Sequence, residues 1–496
     1  MKVAFAYEFE PAAETSVPQL NTAYPLVLDL DGTLLRTDLL LEAILQYLKR
    51  EPLGVFLLFM WALRGVAHLK RQVAARTELA VDLLPINEPL AAYAREAAET
   101  GRPVIAATAA NRHLAERVCA RFGFISEVLA SCDRVNLKGA GKARALRAKF
   151  PGGYAYAGDA AADLPVWREA AFGIFAGKDR RLLDRLTDLT TLEADFSRTP
   201  PTARDWFRAL RVHQWAKNAL IFVPLMLAGH LRELSAWAAC TCAFAAMCLA
   251  ASATYLVNDL FDLDADRQHW NKRSRPFASG TIGIPAGVAA AISLLGAALA
   301  LAWLGGGLPV LGAITLYCGL TLAYSLHLKR VPVLDVMLLA ALFTMRLGAG
   351  AIAAQVHLSS WLAVFSMFLF LSLALAKRST EIGRKSASDS GFSHGRGYVA
   401  ADAPLVAALG VSSAAAAVLL LVLYLIHEAF GAPIYGSPQL LWASPVFLGL
   451  WLGRVWLLCG RGLLHDDPVA FAVTDRASLW LGFGMLASFS SAALIA

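Results

Sequence analysis

Apolar segments long enough to cross a lipid bilayer recur from about residue 216 onward, and they restrict the fold more than any other feature of the chain. A membrane-spanning helix needs about 20 predominantly apolar residues. Nine segments approach or exceed that length, the first of them weakly, at about 216–231, 236–257, 286–305, 308–325, 332–353, 359–376, 403–427, 438–458 and 477–495. Together with a hydrophobic content of 57%, they predict an all-α transmembrane bundle of about nine helices joined to a soluble part.

Lysine and arginine residues gather in alternate loops between these segments. Loops 259–285, 326–331, 377–400 and 459–476 hold thirteen of them, whereas the opposite set of loops holds only Arg232. The positive-inside rule predicts that the first set faces the cytoplasm, and it explains the net charge of +7 without a nucleic-acid partner. Because the polar clusters lie at one end of the bundle rather than at its midplane, a transporter is disfavoured.

The amino-terminal residues and the cysteines indicate a soluble part on the cytoplasmic side. The first 24 residues carry Glu8, Glu10 and Glu14 and have no long apolar core, so they do not have the pattern of a signal peptide. Residues 1–23 are predicted to be a loose leader. The seven cysteines form no C-x-x-C pair, which disfavours a disulfide framework or a zinc site.

An acidic stretch directly follows the apolar segment 236–257. Its residues Asp259, Asp262 and Asp266 would share one face of a helix, and ionised groups at the end of a membrane helix are costly unless they have a function. Hard cations such as Mg²⁺ relieve the repulsion between crowded carboxylates and keep coordination sites for phosphates. The stretch therefore predicts a magnesium-dependent diphosphate site, and the alternative is a solvated acidic loop.

In the soluble part, polar residues follow three short apolar runs that are typical of buried strands. Asp29 and Asp31 follow residues 25–28, Thr108 follows 104–107, and Asp159 with Asp163 follows 154–157. Helical segments lie between these runs, which predicts a parallel doubly wound α/β sheet with its polar residues at the carboxyl ends of the strands.

The order D-x-D-G-T, strand-end threonine, lysine and G-D-x-x-x-D resembles the four motifs of the haloacid dehalogenase (HAD) phosphatases. The resemblance implies that Asp29 is the nucleophile and Asp31 the general acid and base. Thr108 would hold the phosphate, and Lys142 would offset negative charge. Lys138 is the alternative lysine, disfavoured because Lys142 opens a helix in a G-K-A-x-x-L pattern.

The same resemblance implies a Mg²⁺ site and a helical cap. The carboxylates that would hold the ion are Asp29, Asp31, Asp159 and Asp163. The cap would occupy residues 39–100, where the apolar run 53–63 is too short to span a membrane. That run is either a cap helix packed on its neighbours or an interfacial helix at the membrane surface, and packing is favoured. The alternative for the whole domain is a degenerate scaffold.

The membrane part also carries a resemblance. Its N-D-x-x-D-x-x-x-D stretch resembles the first aspartate-rich motif of the UbiA superfamily of membrane prenyltransferases. The segments 210–218, 255–259 and 272–276 resemble, more narrowly, the decaprenyl-phosphate phosphoribosyltransferase branch. Where classical members carry a second aspartate-rich motif, this chain has Tyr324, Lys329 and Asp335, which suits a lipid monophosphate bound without a second metal ion.

These resemblances imply a bifunctional, multi-pass enzyme of a bacterial inner membrane. Its UbiA-like part would transfer 5-phosphoribose from phosphoribosyl pyrophosphate to a polyprenyl phosphate, and its HAD part would remove the 5-phosphate, with both active sites cytoplasmic. Mg²⁺ would be held by Asp259, Asp262 and Asp266. The candidate substrate-binding residues are Lys217, Asn258, Arg273, Arg275, Tyr324, Lys329 and Asp335. Two alternatives stay open: a prenyltransferase that joins a polyprenyl diphosphate to an aromatic or other acceptor, and a membrane-anchored phosphatase.

The boundary between the two parts is predicted at a polar, proline-marked stretch, residues 195–202. We therefore expect a HAD-like domain at 1–198, a linker with an interfacial helix at 199–215, and a UbiA-like domain at 216–496. In the linker, aromatic residues alternate with arginines, as in a helix that lies in the lipid headgroup layer.

Overall fold

The computed structural model describes residues 23–131, 137–230, 232–386, 397–464, 471–472 and 474–495. Almost all of the predicted leader lies outside the described residues. So does Arg396, one of the thirteen basic residues counted in the loops. The described residues form two compact units. The first comprises the chain up to Arg208 together with Asp259–Gly287, and the second comprises Ala209–Asn258 and the chain from Val288 onward.

The first unit is built on a six-stranded, entirely parallel sheet in the order β3-β2-β1-β4-β5-β6. The strands are β1 (Leu26–Leu28), β2 (Val104–Asn111), β3 (Glu127–Ser131), β4 (Ala155–Gly158), β5 (Phe172–Phe175) and β6 (Thr191–Asp195). All three residues of β1 are buried, because β1 lies between β2 and β4 with helices covering the sheet. The predicted parallel α/β fold is confirmed.

Helices surround this sheet and form a cap between its first two strands. They are α1 (Leu39–Arg50), α2 (Val55–Leu63), α3 (Val66–Ala74), α4 (Glu88–Glu99), α5 (Arg112–Cys119), α6 (Ala140–Lys149), α7 (Leu164–Trp167) and α8 (Arg180–Leu189). Helices α1–α3 belong to the cap. Leu39, Ala43 and Tyr47 of α1 are buried in the main core cluster of the unit.

The predicted packing of the apolar run 53–63 is wrong. In α2 and the turn before it, Gly54 and Trp61 are buried, but Leu53, Phe56 and Leu63 are 81%, 71% and 69% exposed. Trp61 packs against Tyr47 of α1 with their ring centroids 5.5 Å apart. The helix is apolar around its whole circumference, so anchoring one side to α1 leaves the other side uncovered.

The acidic segment 259–287 is part of the first unit because it binds the cap and the sheet domain. Arg267 makes a two-pronged ion pair with Glu42 of α1, at 2.6 and 3.2 Å, with both side chains buried. Lys49 Nζ lies 3.5 Å from Asp262 Oδ1, and Lys178 Nζ donates to the carbonyl oxygen of Thr281 at 2.8 Å. A buried bidentate guanidinium–carboxylate pair is a strong, geometrically specific contact.

The second unit contains most of the long helices. The remaining α-helices of the described residues are α9 (Ala203–Leu210), α10 (Val223–Leu227), α11 (Leu234–Phe261), α12 (Leu263–Gln268), α13 (Ile284–Leu326), α14 (Leu334–Ala354), α15 (Ser360–Ser386), α16 (Ala403–His427), α17 (Ala443–Gly460) and α18 (Arg476–Leu494). In the described part of the chain, seven helical segments are long and apolar enough to cross a membrane.

Eight of the nine predicted spans have a counterpart among these seven helices, because α13 supplies two of them. A straight helix of its length would reach about 65 Å, roughly twice the hydrocarbon thickness of a bilayer. The helix breaks at Gly306 and Gly307, where Gly307 has φ 60° and ψ −152°. The break separates the predicted spans 286–305 and 308–325.

The predicted span 216–231 is wrong, and the helix predicted in the linker is present only as the short α9. Helix α9 ends at Leu210, and a 3₁₀ segment runs over Val212–Phe222 before the short α10. Arg211, between them, has φ 52°, a left-handed conformation that interrupts a helix. Pro224 in the first turn of α10 has no N–H to extend a helical ladder backward.

The Glu42–Arg267 pair allows a direct test of how the acidic segment is held. Glu42→Ala is expected to destabilise the first unit by about 3–5 kcal/mol, because Arg267 stays buried without its counter-charge. Alkylation of the buried Cys119 with increasing temperature, read by peptide mass spectrometry, measures the unfolding of this unit in the full chain.

Glu127→Ala is the matched control, since Glu127 belongs to an ion pair with Lys149 whose side chains are 48% and 32% exposed. Its effect should be at most about 1 kcal/mol. Equal losses of stability in the two variants would contradict a structural role for the Glu42–Arg267 pair.

Candidate active sites

Asp29 lies at the carboxyl end of β1, where the parallel sheet directs it away from the core. Its backbone N–H donates to Ala157 of the neighbouring β4 at 3.0 Å, and its Oδ1 accepts from Leu30 N at 2.9 Å. These bonds fix the carboxylate at the sheet edge, where open α/β folds bind ligands.

Lys142 is the basic residue next to Asp29. Its Nζ lies 3.0 Å from Asp29 Oδ2 and 3.8 Å from Asp163 Oδ1, and it donates to the Tyr156 hydroxyl at 2.8 Å. Lys142 is buried, whereas Lys138, the alternative lysine, is exposed at the rim of the same cleft. This geometry supports Lys142 rather than Lys138 as the lysine of the site. The catalytic role of Lys142 stays a prediction.

Three carboxylates at this edge have the arrangement that a divalent cation needs. Among the residues that the structure describes, Asp29, Asp159 and Asp163 form the group whose ligand atoms all lie within 4.8 Å of one another. Asp163 Oδ2 accepts backbone hydrogen bonds from Asp159 and Ala160, each at 3.2 Å. Oxygen ligands of this kind fit Mg²⁺, so the donor set agrees with the predicted ion.

Two glycines keep the carboxylates close together. Gly32 has φ +76°, and a Cβ there would lie 2.3 Å from Asp159 Oδ2. A Cβ at Gly158 would lie 2.8 Å from Asp163 Oδ2. The glycines of D-x-D-G-T and G-D-x-x-x-D are therefore explained by close approach of the carboxylates and, at Gly32, also by backbone conformation.

Burial changes the acidity of these groups. Burial and the neighbouring Asp163 raise the pKa of Asp159 to about 7. Burial also raises the pKa of Asp29, against an opposing effect of Lys142, and raises the pKa of Asp31, with Asp38 adding to the shift. Carboxylates crowded and desolvated in this way are stabilised in their charged form by a bound cation.

The other two predicted residues of this site are tied to the backbone. Asp31 Oδ1 accepts from Leu39 N at 2.9 Å, and Asp31 lines the cleft. The Thr108 hydroxyl is buried and accepts from Ala110 N at 3.0 Å. The cleft is lined next to it by residues 109–111, so the phosphate-binding role of Thr108 stays a prediction.

The cleft itself has a volume of about 490 Å³ and two different walls. One wall carries Asp29, Lys142 and the other charged groups of the sheet edge. The opposite wall comes from the cap and is mainly apolar: Leu39, Leu40, Ala43, Val66, Val73 and Ala74. An amphiphilic ligand with a phosphate group matches this combination better than a uniformly polar ligand does.

Three further residues of the site were not predicted from the sequence. Lys70 of α3 lines the cleft and donates to the Ala109 carbonyl at 2.6 Å. Arg198 Nη2 lies 3.6 Å from Asp159 Oδ2 and donates to the Gly32 carbonyl. Tyr156 donates from its hydroxyl to Asp163 Oδ1 at 2.7 Å. Arg198 lies at the predicted domain boundary, so its role was not apparent from the local pattern.

In the acidic segment, an arginine bridges two of the predicted metal ligands. Asp259 and Asp266 are buried, and Arg275 Nη1 lies 3.0 and 2.7 Å from their carboxylates. The single helix predicted here is wrong, because α11 ends at Phe261 and α12 begins at Leu263, with Asp262 between them at φ −100° and ψ 14°. The Arg275 guanidinium thus neutralises part of the carboxylate charge that the predicted Mg²⁺ ion would neutralise.

The remaining predicted residues of this region differ in exposure. Arg273 is exposed, and Asn258 is partly exposed near the end of α11. Neither position tests their predicted contact with a phosphate group.

In the second unit, polar side chains hold the motif 210–218 against α11. The Trp215 indole donates to Ser252 Oγ at 3.0 Å, and the Asn218 amide lies 3.2 Å from Cys248 Sγ. Asn218 Oδ1 also accepts from Arg346 Nε at 2.8 Å. Lys217, between these anchors, is partly exposed, with Nζ 6.0 Å from the centroid of the Phe343 ring.

A second network joins two of the predicted residues, Asp335 and Tyr324, through an arginine. Asp335 is fully buried, and its two oxygens accept from Arg378 Nε at 2.6 Å and from the Tyr398 hydroxyl at 2.7 Å. Arg378 Nη2 donates to the Tyr324 hydroxyl at 3.3 Å. Asp335 therefore positions Arg378, which sequence reasoning had left among undifferentiated basic residues. Lys329 is partly exposed in a 3₁₀ turn.

Comparison with known families agrees with this division. The model of the UbiA prenyltransferase family matches residues 219–483, more than half of the chain. The chain belongs to the UbiA prenyltransferase family. Residues 26–168 match haloacid dehalogenase-like hydrolases. This UbiA family member is thus a multi-pass membrane enzyme with an additional HAD hydrolase domain.

Three relatives illustrate the range of similarity. The uncharacterized protein y4nM of Sinorhizobium fredii is 36% identical over 94% of this chain and 90% of its own length. The nodulation protein NoeC of Azorhizobium caulinodans is 35% identical over 55% of this chain and 87% of its own length. The decaprenyl-phosphate phosphoribosyltransferase of Corynebacterium glutamicum is 35% identical over 39% of this chain, which spans 60% of that relative.

Gly32 gives a sharp test of the HAD site of this UbiA family member. Gly32→Ala should lower Mg²⁺-dependent phosphatase activity roughly 10²-fold, because the new methyl group displaces the Asp159 carboxylate from the metal site. Hydrolysis of p-nitrophenyl phosphate by the full chain measures the effect, together with the Mg²⁺ concentration at half-maximal rate.

Gly152→Ala is the matched control, since nothing lies within 4 Å of a Cβ at that position. Activity of Gly32→Ala equal to that of the control would contradict the proposed metal site.

Proposed function

We propose that the UbiA domain transfers 5-phosphoribose from phosphoribosyl pyrophosphate to a polyprenyl phosphate, and that the HAD domain then removes the 5-phosphate. The observation that carries the proposal is the carboxylate group Asp29, Asp159 and Asp163 with Lys142 Nζ 3.0 Å from Asp29 Oδ2, in one chain with a UbiA domain. That domain has relatives named decaprenyl-phosphate phosphoribosyltransferase.

In the transfer step, an oxygen of the lipid phosphate attacks the anomeric carbon of the ribose. The bond from that carbon to the pyrophosphate oxygen breaks, and pyrophosphate leaves. Asp259, Asp262 and Asp266 would hold Mg²⁺, which would neutralise the leaving group. Arg275 already contacts two of these carboxylates, so it would rearrange or share the site when metal and substrate bind.

The residues proposed for the phosphates are basic or phenolic. Lys329, Tyr324 and Lys217 would donate to the lipid phosphate, with Asp335 orienting Tyr324 through Arg378. Arg273 and Asn258 are candidates for the ribose phosphate. A second acidic triad, which would bring its own metal ion, is replaced at this position by the Asp335–Arg378 pair, and this favours a lipid monophosphate over a prenyl diphosphate.

In the phosphatase step, Asp29 would attack the phosphorus of the 5-phosphate while Asp31 donates a proton to the departing ribose oxygen. Water activated by Asp31 would then hydrolyse the aspartyl-phosphate. Lys142 stabilises the negative charge of Asp29 and of the transferred group. Mg²⁺ on Asp29, Asp159 and Asp163 would neutralise the phosphoryl oxygens.

The order of the two reactions follows from their chemistry. The transferase product would carry a 5-phosphate, and a phosphatase in the same chain supplies the next step. The 36% identity to y4nM extends over 94% of the chain, so the similarity includes both domains. The loop charges support a cytoplasmic location for both sites.

The experiment uses the full chain in membranes with Mg²⁺, polyprenyl phosphate and phosphoribosyl pyrophosphate labelled in the ribose. Asp29→Asn should spare transfer and accumulate a lipid that retains its 5-phosphate, because only the HAD nucleophile is lost. Asp262→Asn should abolish transfer while hydrolysis of p-nitrophenyl phosphate continues.

Asp184→Asn, an exposed carboxylate on α8, is the control and should behave as the wild type. Absence of labelled lipid from the wild type and from Asp29→Asn would refute the phosphoribosyl proposal. Release of pyrophosphate from a prenyl diphosphate by the same membranes would instead support the prenyltransferase alternative.

A further inference from the structure

The HAD cap has a large exposed apolar surface that the proposed reactions do not use. We define the apolar cap surface as the exposed large side chains of 53–66: Leu53, Val55, Phe56, Leu57, Phe59, Met60, Leu63 and Val66. A contiguous apolar surface of this kind marks an interaction site. The apolar helical segment Pro52–Leu63, which includes α2, is too short to span a bilayer, at about 18 Å for its length.

The first unit itself places this surface close to the end of a membrane helix. Lys49, near the end of α1, lies 3.5 Å from Asp262, and Asp262 directly follows the last residue of α11, a candidate membrane span. Leu53 is only four residues beyond Lys49, which limits their separation to about 14 Å. The start of the apolar cap surface is therefore within reach of the carboxyl end of α11.

The charges around the apolar cap surface suit a lipid headgroup layer. Arg50 and Arg64 flank α2 and are exposed, and Arg71 is exposed on the following α3. Basic residues beside an apolar helix favour binding in the plane of an anionic membrane surface. A soluble protein partner would not need the surface to lie beside a membrane helix, so the bilayer is the better-supported occupant.

The apolar cap surface is also continuous with the phosphatase cleft. Val66 belongs both to the exposed surface and to the cleft lining, and α3 then contributes Val73, Ala74 and Lys70 to the same wall. An acyl or prenyl chain lying along this wall would point its phosphate toward Lys70 and the Asp29–Lys142 pair.

We propose that α2 inserts into the acyl–headgroup boundary of the membrane that holds the UbiA helices, and that the phosphatase cleft receives its substrate from the bilayer as a lipid-linked phosphate. The identity of that lipid as a phosphoribosyl polyprenyl phosphate rests on the proposed function. The insertion of α2 into the membrane does not depend on the proposed function.

Insertion is tested with the full chain in lipid nanodiscs that hold one copy each. Phe56→Cys, carrying an environment-sensitive fluorophore, should be quenched roughly twofold or more when the lipids are brominated along their acyl chains, because the helix lies at that depth. Glu96→Cys, exposed on α4, is the matched control and should not be quenched. Wild-type chain labelled in parallel corrects for the native cysteines.

The functional arm compares two substrates. Phe56→Ser/Phe59→Ser should raise the apparent KM for the lipid-linked phosphoribose roughly tenfold, because membrane insertion is weakened. The same variant should leave hydrolysis of soluble p-nitrophenyl phosphate unchanged. An equal loss on both substrates would overturn the proposed route from the bilayer.

The outcomes separate this inference from the proposed function. An unquenched Phe56→Cys probe would overturn insertion, whatever the substrate. A probe that is shielded only when discs hold two or more copies would overturn it in favour of a second chain as the occupant. If the Phe56→Cys probe is quenched but the wild type hydrolyses only soluble phosphates, insertion is supported and the proposed lipid substrate is refuted.

Discussion

The crowding of three carboxylates at one edge of the sheet is the constraint on which the HAD domain depends. One carboxylate oxygen from each of Asp29, Asp159 and Asp163 lies within 4.8 Å of the other two. Lys142 offsets only part of the charge of this group. Such a cluster is unfavourable unless the chain fixes it and a cation completes it. The central position of β1, the absence of a side chain at Gly32 and the hydrogen bonds to Asp163 all serve that purpose. The same charges would then provide the proposed nucleophile and the proposed phosphate site.

Charge pairing also determines how the acidic segment after α11 is held. Arg267 is fixed by Glu42 of the cap, and Arg275 bridges Asp259 and Asp266. The conformation of a segment proposed to bind pyrophosphate therefore depends on contacts with the phosphatase domain. In the second unit, Arg378 and Asp335 form another buried pair, which fixes the position of a guanidinium rather than leaving an acidic metal site.

Local sequence patterns predicted the parallel sheet, the carboxylates at its edge and eight of the nine spans, because each depends on periodicity or on residues at strand ends. The errors concern partners that are distant in sequence. The run 53–63 was expected to be packed, but α1 covers only the side of Trp61. Arg198 was predicted to lie at the edge of the HAD-like domain, with no role in the site, and it lies beside Asp159. The predicted span 216–231 is wrong because a 3₁₀ segment occupies Val212–Phe222 and Pro224 prevents the short α10 from extending backward. Pairings such as Arg275 with Asp259 leave no periodic signal in the chain.

In the proposed function, one chain makes a ribosylated lipid phosphate and then removes its 5-phosphate. The most direct measurement supplies the wild-type chain in nanodiscs with polyprenyl phosphate, Mg²⁺ and phosphoribosyl pyrophosphate that carries tritium in the ribose and radioactive phosphorus at the 5-position. We expect extracted lipid that carries tritium without radioactive phosphorus, and release of inorganic phosphate in an amount equal to the tritiated lipid. Lipid without tritium, or tritiated lipid that keeps all of its radioactive phosphorus, would contradict it.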